Sequence, residues 1–83
     1  MAGAVRTRAY QDLLKALVLA RQDAGLSQAQ LAERLGKPAS FVGKYELGER
    51  RLDVVELVVV LKVIGVSVKD VLGAVEGAAP EKL

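Results

Sequence analysis

The chain has no cysteine and no histidine among its 83 residues. Without cysteine there is no disulfide framework and no thiolate metal site. Without histidine the commonest general base and the commonest metal ligand are both missing. Aromatic side chains are scarce, with Tyr10, Phe41 and Tyr45 making up the whole set. The sequence holds no glycine-rich phosphate loop and no cluster of metal-ligating residues. Several carboxylates fall at predicted helix starts, where capping accounts for them. The residues therefore predict no catalytic site, no metal site and no cofactor. Long apolar runs are missing too. The stretch from Val54 to Val68 is interrupted by Glu56 and Lys62 and is too short to span a bilayer. The N-terminus lacks the apolar segment of a secretory signal. A cytoplasmic protein without membrane contact is expected.

What is present is unevenly charged. Twelve Lys and Arg against ten Asp and Glu leave a net charge of +2. Residues 34–51 hold five cations (Arg34, Lys37, Lys44, Arg50, Arg51) against Glu46 and Glu49, a local net of +3. Residues 52–83 hold three cations against five carboxylates, a net of −2. An anionic polymer would meet the middle of the chain first. The length fits a single domain over residues 1–83 with a modest core, to which association with a second copy would add stability.

The periodicity predicts five helices. Thr7 caps a first helix that runs to about Ala24, with Leu13, Leu14, Leu17 and Val18 facing inward and Gly25-Leu26 closing it. Ser27 and Gln30 form a capping box for a second helix with Leu31, Ala32 and Leu35 as its apolar stripe. Gly36 supplies a sharp turn. Pro38 starts a third helix over about 38–47, which buries Phe41, Val42 and Tyr45 and stops at Gly48. Asp53 and Glu56 box the start of a fourth helix. Its sequence, VVELVVVLKVIGV, is rich in β-branched residues and has strand propensity. The box, the length of the run and the stop at Gly65-Val66 favour a helix. Ser67 caps a fifth helix, weakened by Gly73 and Gly77. Residues 1–6 and 77–83 are expected to be loose tails.

A helix, a short glycine-bearing turn and a second helix outline a helix-turn-helix. The stretch SQAQLAERLGKPASFVGKYELGERR, with its flanks from about Leu13 to Leu72, resembles the phage repressor and Cro type of helix-turn-helix family, the XRE-like family. The pairing Leu31-Ala32, the Gly36 turn, the Glu46-x-Gly48 end and the Ile64-Gly65-Val66-Ser67 junction carry the resemblance together. It implies an all-α, five-helix, lambda-repressor-like domain. It also implies a bacterial or phage-encoded regulator that binds double-stranded DNA, acting as a repressor or autoregulator. By position, Ala39, Ser40, Gly43 and Lys44 correspond to the base-reading surface. Ser27, Gln28, Lys37, Arg50 and Arg51 are the expected phosphate contacts. An arginine at Arg21 is expected to pair with Glu46. The sequence departs from the family's pattern at Pro38, which cannot cap by a side-chain oxygen, at Gly43, and at Leu47, where a polar or basic residue is common.

The fourth helix carries two apolar stripes. Leu57, Val60, Leu61 and Ile64 match the core. Val55, Val59 and Val63 recur every four residues on another side and are expected to form the interface of a homodimer. The alternative is a helix-turn-helix that binds another protein, as an antiactivator or antitoxin-like partner, through the valine stripe or a small-residue groove.

Overall fold

Local rules account for where each helix begins and ends. The computed structural model describes residues 7–83, and all secondary structure there is helical. The helices are α1 (Arg8–Asp23), α2 (Gln28–Leu35), α3 (Ser40–Glu46), α4 (Val54–Ile64) and α5 (Val68–Ala78). The expected tail over residues 1–6 lies outside the described residues. Thr7 caps α1, its side chain accepting the Tyr10 N–H at 3.2 Å. At α2 the Gln30 N–H donates to Ser27 Oγ (3.0 Å) and the Ser27 N–H to Gln30 Oε1 (2.8 Å). The box at α4 is equally complete, with the Glu56 N–H on Asp53 Oδ1 (2.7 Å) and the Asp53 N–H on Glu56 Oε1 (3.0 Å). These reciprocal bonds satisfy N–H groups that the first turn leaves over. They help to make a helix of a valine-rich run whose propensity alone favours a strand.

The turn between α2 and α3 depends on Gly36, whose φ of +70° is left-handed and costs an L side chain energy. That conformation lets the Lys37 N–H reach back to Ala32 O at 2.9 Å, closing α2.

Two boundaries differ from the sequence expectation. The third helix begins at Ser40, two residues after Pro38, and Ala39 at its N-cap offers no side-chain bond. The Phe41 N–H donates instead to Pro38 O at 2.9 Å. At the other end, α5 continues through Gly77 to Ala78. It does so because it lies along α1, with Val71 buried and Val68 and Val75 packed on the core. Tertiary packing outweighs the two glycines.

α1 packs against α3, α4 and, most extensively, α5, while α2 packs on α3 and α4. Leu17, Leu31, Val42, Tyr45, Val60 and Leu61 are the fully buried large side chains, so every helix except α5 supplies at least one. α3 contributes Phe41, Val42 and Tyr45 to this core, with the two rings edge to face at 5.6 Å. Three buried side chains in seven residues fix which face of α3 points away.

Candidate nucleic-acid interface

The outward face of α3 carries Ser40 and Lys44, both exposed, with Ala39 exposed at its entry. Gly43 is half-buried between them. A Cβ placed on it would meet Gln28 Oε1 at 3.5 Å, an ordinary contact. Gln28 sits in the first turn of α2, so the two helices meet at this point.

A polar network holds that junction. Arg21 of α1 donates from Nε to Glu46 Oε2 at 2.8 Å and from Nη2 to Glu46 Oε1 at 3.2 Å. Its Nη1 donates to Leu26 O at 2.9 Å. Gln28 Nε2 donates to the same Glu46 Oε1 at 2.9 Å. The two charged side chains are only 10% and 6% exposed, so this is a buried, fork-shaped pair with most of its hydrogen-bonding capacity used. The Glu46 carboxylate raises the Arg21 pKa further above its ordinary value, against the effect of burial. Glu46 thereby ties the end of α3 to both α1 and the start of α2. Gln28 lies in the first turn of α2, and its amide already has a protein acceptor. The sequence signal for that bond was slight, since Gln28 and Glu46 lie eighteen positions apart.

The cations divide into two groups. Lys37 places Nζ 5.5 Å from the centre of the Phe41 ring, and Arg51 lies 5.4 Å from the Tyr10 ring. Neither makes a salt bridge among the described residues. Arg50, expected to reach a phosphate, is instead gripped by Glu56. Its Nη1 donates to Glu56 Oε1 at 3.1 Å and its Nη2 to Oε2 at 2.8 Å. Its guanidinium lies 4.9 Å from the Phe41 ring, so that ring carries both Lys37 and Arg50. The Arg50 bonds, followed by the Asp53 N–H, hold the Glu56 pKa down at about 2. Sequence reasoning assigned Glu56 to capping and missed this second task. The only signal was an arginine and a glutamate six residues apart across a short loop. Tyr10 packs against the core, and its phenol accepts the Leu52 N–H at 3.3 Å and anchors the same loop.

On α4, Val55 is 70% exposed and Val59 44%, but Val63 is half-buried and packs on the core. The expected three-valine stripe is therefore corrected. Val63 lies one turn beyond Val60 on the inward flank, whereas Val54 (76% exposed) and Val58 extend the outward patch. A second apolar feature was not foreseen. Leu19 and Leu47 flank a cleft of about 720 Å³ between α1 and the end of α3, also lined by Leu14, Val18 and Lys15.

No curated protein matches the sequence. A family model described as helix-turn-helix matches residues 17–71. Among solved structures, an XRE-family like protein from Pseudomonas syringae pv. tomato str. DC3000 is 46% identical. The match covers 87% of this chain and 88% of that one, with a TM-score of 0.80. The five helices, the buried α3 anchor and both comparisons agree: the chain belongs to the XRE-type helix-turn-helix family, a DNA-binding regulatory kind and not an enzyme family.

Proposed function

We propose that the protein is a sequence-specific, dimeric transcriptional repressor or autoregulator that reads the major groove of duplex DNA with α3. The observation that supports this best is the two-sidedness of α3. Phe41, Val42 and Tyr45 are buried, the Arg21–Glu46–Gln28 network clamps its end, and its remaining face turns Ser40 and Lys44 to solvent. In this reading Lys44 is the long donor for a guanine edge, Ser40 donates or accepts, and Ala39 meets a thymine methyl. Gly43 lets the helix backbone come close. Ser27, Gln28, Lys37 and Arg51 contact phosphates and set the register. A second copy joined through α4 supplies the other half-site. The place of action is the cytoplasm.

Selection of bound fragments from random duplex DNA tests this reading, with Lys44→Ala compared against the wild type. The expected result is a two-fold-symmetric motif for the wild type and relaxed preference at one base pair per half-site for the variant. The loss of discrimination there should be about 1–3 kcal/mol. Recovery of no motif, together with the absence of salt-dependent retention of any duplex, rejects DNA reading. A second reading is favoured by the Leu19–Leu47 cleft, which gives the end of α3 an apolar surface suited to another protein. Salt-insensitive binding to a protein, with no shift of DNA, would support that alternative.

A further inference from the structure

Arg50 and Arg51 are neighbours in one loop, yet their surroundings are opposite. Arg51 is exposed and makes no ion pair among the described residues. Arg50 presents both terminal nitrogens to the two oxygens of Glu56. A guanidinium fork on a carboxylate has the same parallel geometry as a guanidinium fork on a phosphate. Glu56 is not free to swing away, because its own backbone N–H and side chain are both locked to Asp53. Arg50 is held from two further directions. Its Nη1 donates to Arg51 O at 3.0 Å, and its plane lies over Phe41. The Arg50 side chain nevertheless remains 41% exposed, so an outside anion can reach it.

We propose that Glu56 acts as an internal substitute for a DNA phosphate: it occupies the fork of Arg50, withholds that cation from the DNA backbone, and so limits the sequence-independent part of the affinity. The inference rests on the DNA-binding reading above. One phosphate contact adds nearly one unit to the salt slope of binding and strengthens attachment to every duplex alike. Withholding such a contact lowers non-specific binding while leaving the base-reading face of α3 intact. The ratio of operator to non-specific affinity rises as a result. Because the Glu56 carboxyl titrates at about 2, the substitute stays charged throughout the range in which such proteins bind DNA. Asp53 and Lys37 are the other charged groups acting on this pair, and neither replaces Glu56 in the fork.

The test is a double-mutant cycle on the full chain, read by fluorescence anisotropy on a labelled random-sequence duplex between about 50 and 200 mM salt. Glu56→Gln keeps a side-chain oxygen for the Asp53 N–H, so the capping box survives while the charged fork is lost. The slope of log K against log salt should steepen by nearly one unit in Glu56→Gln. It should not steepen when Glu56→Gln is added to Arg50→Ala. An equal steepening in both backgrounds means a general charge effect and overturns the proposal. So does an Arg50→Ala variant that by itself flattens the slope by nearly one unit, since Arg50 would then already be on a phosphate. If Glu56→Gln does not fold, comparison of Arg50→Ala with Arg51→Ala decides, because only Arg51→Ala should flatten the slope. Wild-type protein that shows no salt-dependent DNA binding removes the DNA reading itself. Wild-type binding with an unchanged Glu56→Gln slope removes only the role of Glu56.

Discussion

At the scale of single residues, Tyr45 and Glu46 show how adjacent positions on one helix serve opposite ends. Tyr45 is fully buried, and its hydroxyl has no hydrogen-bond partner among the described residues. Burial first, and the neighbouring Glu46 charge second, push its pKa well above the ordinary value of 10.0. The folded state thus favours the neutral phenol. That contribution is whole below pH 10 and is lost as the pH rises above it, because the unfolded chain ionises first. Tyr45→Phe removes both the unpartnered group and this alkaline weakness. Its unfolding free energy from urea titration at neutral pH should match or exceed that of the wild type, by up to about 1 kcal/mol, and the gap should widen above pH 10. A loss of stability at neutral pH would show that the hydroxyl has a partner after all. Glu46 is the reverse case, a buried charge with every oxygen engaged. Glu46→Ala strands the Arg21 guanidinium in a site from which water is largely excluded, at a cost of about 3 kcal/mol or more. Replacing both partners, as Arg21→Met with Glu46→Leu, should cost much less, since no buried charge is left unpaired. Equal losses in the single and double variants would mean that the pair contributes packing and not charge compensation.

At the scale of helices, the glycines separate local cost from functional need. Gly73 lies inside α5 with helical backbone, and a Cβ there would meet nothing within 4 Å. Gly73→Ala should therefore raise stability by about 1 kcal/mol through helix propensity alone. Gly43→Ala meets only Gln28 at ordinary distance, so it should stabilise α3 by a similar amount. Under the DNA reading it adds a methyl group to the face that approaches the bases, so binding should weaken while the midpoint rises. If Gly43→Ala leaves DNA affinity unchanged, the backbone of α3 does not approach the groove closely there. The helices themselves were largely legible in the sequence because their ends obey local rules. The Ser27–Gln30 and Asp53–Glu56 boxes and the stop at Gly36 need only neighbouring residues to be recognised. What was illegible depended on distance. The Arg50–Glu56 fork forms only when the loop after α3 folds back on α4. The length of α5 comes from its packing along α1, and Val63 turns inward because of where α4 lies against the core. Pro38 misled for another reason: proline favours a first helical position, but here it supplies a carbonyl to the turn and α3 starts two residues later.

At the scale of the whole molecule, α4 turns an apolar patch outward, on residues other than those of the Leu19–Leu47 cleft. Val54, Val55, Val58 and Val59 lie on the first two turns of α4 and are all exposed, and Lys62 closes the patch at its far end. Beside Val55 and Val59 runs a groove of about 210 Å³ whose floor includes Leu35, Phe41 and Val60. A two-fold dimer through this face would set the valines of each copy against the groove of the other. Fully burying a valine stabilises by roughly 1.5 kcal/mol or more, and symmetry doubles every contact. Burying what these four valines still expose, in both copies, is the gain that a dimer through this face would set against the cost of association. Val59→Glu places a carboxylate on this patch twice, once from each copy, whereas the 44% exposure of Val59 in the single chain leaves room for the charge without unfolding it. The variant should stay folded by circular dichroism, sediment as a monomer at micromolar concentration where the wild type is a dimer, and lose most operator affinity because it engages one half-site at a time. Val63→Glu is the informative control. It should unfold the chain, since Val63 packs on the core. A wild type that sediments as a monomer, or a Val59→Glu variant that remains dimeric, would exclude this face as the interface and leave the Leu19–Leu47 cleft as the remaining apolar surface for a partner.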